Sequence, residues 1–496
     1  MLPALDDLLL SGGDDRLVLD ACSGRSRYGC QPFPDTGLVA LGSSTASVIS
    51  VAGYAAAQAL HARCNVRLHH QPAAMVYASE AERVRDALVA LCGWPDTGAV
   101  LAASGTDLHL LAGHWLQPDR VVMIAGAETG SGLPAALRGN HYSSCAAYST
   151  LVPAGMALGD WHPELVMLAP RTADGSLREP AWVDADCVAA VTQAAGAGQR
   201  VLLVLTDLSK TGLLVPGRET VLALQRRWPD QVTVLVDACQ FRLSAATVRD
   251  YLSCDFLVAL TGSKFAGGPT FCGALLVPGA LAVRYRDAPL DAAVGAYSCA
   301  ADWPADWRCA QSLPVAANFG LLLRWHAALE DLQRFHALPA TQVSTLLETF
   351  GAAVRARLAS DPLFDALPVA ILERTDASWD SLQTVFPFLL RNGDGSYLTA
   401  SETRAVHQAL MQGERRYQLG QPVSCGERNG VPVMALRLCA SAPIVVAGAA
   451  GNSMTGDARA ALDTLHQLLG TSLPGPRCDA ATSSLRNSTS LASSRR

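Results

Sequence analysis

The stretch Val236-Asp237-Ala238-Cys239-Gln240, followed by Thr261-Gly262-Ser263-Lys264-Phe265-Ala266-Gly267-Gly268-Pro269, decides how this chain folds and what it can hold. An apolar run that reads as a buried strand ends in an acid. A lysine follows 27 positions later (264 − 237), in a turn of small residues. A strand-end carboxylate and a turn lysine meet two requirements of pyridoxal 5'-phosphate (PLP). The acid keeps the pyridine nitrogen protonated so that the ring draws electrons, and the lysine amine forms a Schiff base with the aldehyde.

Working outward, similar apolar runs occur at Arg120–Ala125, Arg200–Asp207, Phe256–Leu260 and Gly273–Pro278. Runs this continuously apolar suit strands buried on both faces, as in a mostly parallel sheet covered by helices, with Arg218–Arg227 as one crossover helix. From about Pro314 the pattern becomes one long amphipathic helix reaching Arg357. A second α/β pattern follows, with strands at Thr384–Leu390 and Met434–Cys439 and a helix at Ser401–Gln412. The expected fold class is α/β, a large PLP-binding domain over residues 71–313 and a connecting helix with a smaller C-terminal domain over 314–470. Residues 1–70 resist placement, and the Ser/Thr/Arg-rich stretch 471–496 reads as a disordered tail.

A phosphate cup is suggested by Ala103-Ser104-Gly105-Thr106-Asp107, which opens a helix through Leu108, Leu111 and Trp115. Small residues admit backbone N–H groups to an anion, and a helix N-terminus favours negative charge. The same letters also make an ordinary capped helix start.

Together these motifs resemble the class V aminotransferase group of fold-type-I PLP-dependent enzymes, which includes the cysteine desulfurases. Asp237-Ala238-Cys239-Gln240 matches its Asp-Ala-x-Gln strand end, and Lys264 leads into Gly267-Gly268-Pro269-Thr270-Phe271-Cys272-Gly273-Ala274-Leu275 much as the group's lysine does. Ser209-Lys210-Thr211-Gly212, ending at Pro216, is similar to a further segment. The resemblance implies Lys264 and Asp237 as catalytic residues, with Gln240 at the ring hydroxyl. It adds Ser104, Gly105, Thr106, Ser209, Thr261, Ser263 and Thr270 as candidate cofactor contacts. It also implies a homodimer acting on a small amino acid, and places Arg437, an isolated charge in an apolar strand, at the substrate carboxylate, for which a planar guanidinium is well shaped.

Departures from the group bear on the reaction. Lys210 stands where the group has asparagine beside the ring, and Ser263 stands where a histidine often precedes the lysine. Glu128-Thr129 falls where a stacking ring is expected, which leaves His141 as a replacement or as a surface residue. Amino transfer is the expected reaction because nothing demands a second nucleophile. The alternative is a lyase, such as a cysteine desulfurase using Cys425 in the polar loop expected there, whose flanking residues do not match the desulfurase motif. The cluster Arg25–Cys30 reads equally as a site contact or a surface turn.

Composition narrows the other classes. Half of the 496 residues are hydrophobic, 17% are charged and the net charge is −6, with no basic block, which argues against nucleic acid. Mean hydropathy is +0.20, but no apolar run reaches the roughly 18 residues that span a bilayer. The acidic start lacks the positive charge of a signal peptide, so a cytoplasmic, non-membrane protein is expected. The 14 cysteines are scattered singly, as buried thiols in a reducing compartment are. His69-His70 and the His109/His114 pair lack metal-ligand spacing, so no metal is expected. Two rivals remain: a dinucleotide-binding oxidoreductase using Gly130-Ser131-Gly132-Leu133-Pro134-Ala135, and a non-catalytic binding protein on the same fold. The first lacks a strand ending in an acid at the right spacing, and the second has no use for Asp237, Gln240 and Lys264 together.

Overall fold

The computed structural model describes residues 1–470 apart from residues 95, 371, 377 and 414. Strand β1 (Leu38–Leu41) joins the smaller of two sheets. The larger sheet contains β2 (Gly98–Ala102), β3 (Arg120–Ile124), β4 (Glu164–Leu168), β5 (Val201–Asp207), β6 (Leu214–Val215), β7 (Val232–Ala238), β8 (Leu257–Thr261) and β9 (Gly273–Val277). Its order is β2-β9-β8-β7-β5-β3-β4, with β6 paired antiparallel to β5. β8, β7, β5, β3 and β4 run parallel to one another, while β9 is antiparallel to both of its neighbours. Side chains alternate between faces. Leu203, Leu205, Val234 and Val236 enter one core, and Leu202, Val204 and Leu235 enter the other. Both faces are therefore covered, which is why these runs are apolar throughout.

The second sheet is built from β1 with β10 (Phe364–Ala366), β11 (Val385–Leu390), β12 (Arg416–Arg428) and β13 (Val431–Cys439), in the order β1-β12-β13-β11-β10. Helices Ala340–Ala359 and Met454–Gly470 contribute Leu347, Phe350, Leu462 and Leu465 to its core. The expected single helix to Arg357 is two helices, Phe319–His336 and Ala340–Ala359. Pro339 starts the second, where its missing N–H is of no consequence. The strand β12 occupies the region expected to be a loop around Cys425. The expected tail, 471–496, lies outside the described residues.

The N-terminal segment is woven into both halves. β1 pairs in parallel with β12, and helix Val51–Leu68 packs on Phe319–His336. Arg324, fully buried, donates to the carbonyls of Phe271 (2.6 Å), Leu9 (3.1 Å) and Ser11 (2.6 Å), which ties the first residues to the turn beyond Lys264. Among the described residues no helix is long and apolar enough to cross a membrane.

Candidate functional site

A cavity of about 290 Å³ opens at the C-terminal ends of β7 and β8, where open α/β sheets place their ligands. Three local structures meet there. β7 delivers Asp237, the turn after β8 delivers Lys264, and helix Gly105–Leu116 begins at the wall. Ser104 caps that helix, its hydroxyl accepting from Asp107 N at 3.3 Å. The helix start lies so close to β7 that a Cβ on Gly105 would sit 2.7 Å from Cys239 Sγ. Gly267 has φ +91°, and any side chain there would meet Pro443. Ser47 fixes the lysine turn from the N-terminal segment: its amide donates to Ser263 O (3.0 Å) and its hydroxyl to Lys264 O (2.5 Å).

Asp237 Oδ1 accepts from Cys239 N at 3.2 Å, and Oδ2 lies 3.9 Å from His109 Nε2. The opposite nitrogen of His109 is 2.7 Å from Gly105 O, which only accepts, so Nδ1 carries the proton and Nε2 faces Asp237. His109, Asp237 and Cys239 bring possible ligand atoms within 4.8 Å of one another. The helix N-terminus beside them sets a positive potential that opposes a cation there.

Arg437 is 1% exposed and lines the cavity. Its guanidinium donates to Thr45 Oγ1 (2.9 Å), Gln421 O and Lys210 O (3.4 Å), while Nε has no partner. No carboxylate among the described residues pairs with it. Burial pushes its pKa down to about 10. A buried guanidinium with polar neighbours and no ion-pair partner among the described residues is suited to an incoming carboxylate. Glu128, the acid closest to that role, is already engaged. It accepts from Arg171 Nε (2.7 Å), Ser209 Oγ (2.7 Å) and Thr211 Oγ1 (2.8 Å).

Of the residues expected from sequence, Ser104, Gly105, Thr106, Asp237, Gln240, Thr261, Ser263, Lys264 and Arg437 line this one cavity. Gln240 is held by its amide donating to Ser44 O at 3.0 Å. The Thr261 hydroxyl donates to Cys239 O at 2.5 Å. Two expected contacts are not brought to the cavity wall. Ser209 turns its hydroxyl to Glu128, and Thr270 is buried without a hydrogen-bond partner. His141 is neither a ring over the cavity nor a surface residue; it is buried and stacks on Tyr297 with centroids 5.7 Å apart. Cys425 is 1% exposed, in β12, among Leu389, Val423 and Val433, and burial raises its pKa. That is the opposite of what a reactive thiolate requires. The Gly130–Ala135 segment opens only the four-residue helix Leu133–Ala136, too short for a dinucleotide crossover.

Sequence reasoning missed His109 and Arg16 as members of the site, left Tyr28 undecided, and set Lys210 beside the ring without giving it a role. Arg16 lies 4.4 Å from the Phe271 ring centroid and donates to Ser104 Oγ at 2.9 Å. Tyr28, from the Arg25–Cys30 cluster, packs edge-on against Phe271. No local pattern marks these residues, because their partners are far along the chain. Lys210 did carry a signal: among 38 lysines and arginines, only Lys210 and Lys264 are lysine.

The donor set fits PLP. Six of the buried side-chain atoms without a hydrogen-bond partner belong to residues lining this cavity: Ser44, His109, Thr129, Thr206, Ser263 and Arg437. Unsatisfied polar groups gathered around one cavity mark a place for a polar ligand.

No protein-family model matches the chain, and no curated protein is similar to it in sequence. Solved structures are similar in shape. A NifS-like protein from Rickettsia africae superposes with a TM-score of 0.54 at 11% identity, covering 87% of this chain and 99% of that one. The cystine C-S lyase C-DES, in complex with its product cysteine persulfide, gives 0.52 at 16%, covering 84% and 97%. Serine palmitoyltransferase from Sphingomonas wittichii gives 0.52 at 12%, covering 87% and 88%. At these identities the likeness is one of fold: the chain has the fold-type-I architecture of PLP-dependent enzymes.

Proposed function

We propose that this chain is a PLP-dependent enzyme acting on a small amino acid, with amino transfer as its reaction and lyase chemistry as the alternative. The observation that carries this reading is the convergence of Asp237, Lys264 and an unobstructed helix N-terminus on one cavity. When bound, the cofactor supplies an electron sink for charge developing at the substrate α-carbon.

The chain's own groups have separable tasks. Helix Gly105–Leu116 and the Thr106 and Ser263 hydroxyls are suited to the phosphate. Asp237 would hold a proton at the ring nitrogen, its carboxylate kept in place by the Cys239 backbone N–H. Lys264 would anchor the cofactor through its amine and, when that amine is free, would serve as the general base for the substrate α-proton. Arg437 orients the substrate through its carboxylate. Desulfuration draws no support from Cys425, which is buried away from the cavity. The working form we expect is a homodimer.

The test uses the two-lysine composition. PLP added to purified protein should give a yellow species, and borohydride followed by peptide mapping should place the pyridoxyl group on Lys264. Its appearance on Lys210, or no cofactor uptake at all, would overturn the reading.

A further inference from the structure

We propose that Lys210 is a second working amine of this cavity, exchanging a proton with the amino-acid substrate while Lys264 serves the cofactor; this rests on the PLP reading above. Composition is the first support. The chain meets almost every need for positive charge with arginine, and both of its lysines line the same cavity. Arg16 and Arg437 are the arginines of the same lining. An arginine stays charged at every physiological pH, whereas a lysine amine is compact and can release its proton when its surroundings favour that. A chain that uses lysine only here is using the amine and not merely the charge.

Placement is the second support. Lys210 lies in the turn between β5 and β6, and its backbone is fixed from two sides. Its amide donates to Glu128 O at 2.8 Å, and its carbonyl accepts from Arg437 Nη1 at 3.4 Å. The side chain therefore springs from the wall that carries the candidate carboxylate receptor, at the substrate end of the cavity. Its Nζ donates to Ala127 O at 3.5 Å, and no carboxylate among the described residues forms an ion pair with it.

The charges facing it give the third support. They are Arg437 from β13, Lys264 from the turn after β8, and Glu128 from the loop after β3. Glu128 is committed to Arg171, Ser209 and Thr211. Burial, reinforced by Arg437 and then Lys264, brings the Lys210 pKa down to about 8. At neutral pH the group holds a proton and gives it up cheaply, because burial disfavours the charge and losing it relieves repulsion from Arg437. In the transfer, the ammonium N–H bond breaks with its electron pair left on nitrogen, and the proton bonds to a substrate atom. The neutral amine then regains a proton from water at the cavity mouth.

The experiment uses holoenzyme carrying lysine labelled with ¹⁵N at the ε-position, in which only two side-chain amine signals can occur. Borohydride fixes Lys264 to the cofactor and leaves the other signal as Lys210. It should titrate near pH 8, and kcat of unreduced enzyme should fall with rising pH through the same midpoint. K210R keeps the charge but cannot release a proton near neutral pH. It should load cofactor normally, hold KM within a few-fold, lose 10²–10⁴-fold in kcat and lose the limb near pH 8. K210M should behave the same way in kcat. Wild-type kcat in K210R would assign Lys210 to charge alone and overturn the proposal. So would a Lys210 signal that does not titrate below pH 10, or loss of cofactor loading in both variants, which would make Lys210 a cofactor anchor. Failure of wild-type protein to take up PLP on Lys264 would instead fault the underlying reading.

Discussion

Replacing Arg437 with methionine should separate substrate binding from stability. The guanidinium is fully buried without an acidic partner, and burial depresses its pKa to about 10. A depression of that size corresponds to a penalty on the charged form on the order of 3 kcal/mol. Removing the charge lifts that penalty and takes a donor from three acceptors, Thr45 Oγ1, Gln421 O and Lys210 O, at about 1 kcal/mol each. The folded protein should therefore be about as stable as the wild type. Substrate binding should move the other way. Charge-assisted bonds to a carboxylate contribute about 1.5–3 kcal/mol, so affinity should drop roughly 10- to 150-fold. Thermal unfolding of the cofactor-loaded protein, together with spectral titration by amino acids, measures both quantities. The reasoning fails if Arg437→Met loses several degrees in Tm while amino-acid affinity stays unchanged. That pattern would make Arg437 a structural strut.

Two further outcomes follow from the same structure. Asp237→Asn should still take up cofactor but lose most turnover, because an amide cannot hold the ring proton and the loss should exceed the roughly 1.5–3 kcal/mol of one charged hydrogen bond; wild-type turnover would mean that another acid serves the ring. His114 is buried against Trp161 with both ring nitrogens unpartnered, and burial lowers its pKa from 6.5 to about 4. Its folded-state value lies below the unfolded one, so the stability it supports is complete above pH 6.5 and is lost as pH falls toward 4. His114→Phe should flatten that acid limb by up to about 3 kcal/mol, read as denaturation midpoint against pH, and parallel profiles for the two proteins would refute the assignment.

The parts legible in the sequence are those whose signal is local. β3, β5, β7, β8 and β9 are apolar throughout because both faces are covered, and each coincides with an expected run to within a residue or two. The acid at the end of β7 and the lysine in its small-residue turn needed no tertiary knowledge. β2, with the letters Gly-Ala-Val-Leu-Ala, is too short and small to stand out, and β4 is a half-exposed edge. The rest of the site depends on distant pairings. Gln240 is positioned by Ser44, Ser104 meets Arg16, and Arg437 meets Thr45. Contacts across tens to hundreds of residues leave no periodicity to read. Cys425 shows the converse error: a polar run after it suggested a loop, where pairing with β13 makes a strand.

The weaving of the N-terminal segment into both halves of the molecule sets a timetable for the newborn chain. The cavity wall draws on Arg16 and Tyr28 near the beginning and on Gln421 and Arg437 near the other end. Lys264 and Asp237 leave the ribosome well before Arg437, which follows Lys264 by 173 positions (437 − 264). At about 5–20 residues per second that interval is roughly 10–35 s. Throughout it Lys264 has neither its opposing wall nor the β12 strand that β1 must pair with. A stable pocket thus exists only after translation has passed Arg437, so cofactor capture belongs to the finished polypeptide and not to the nascent one.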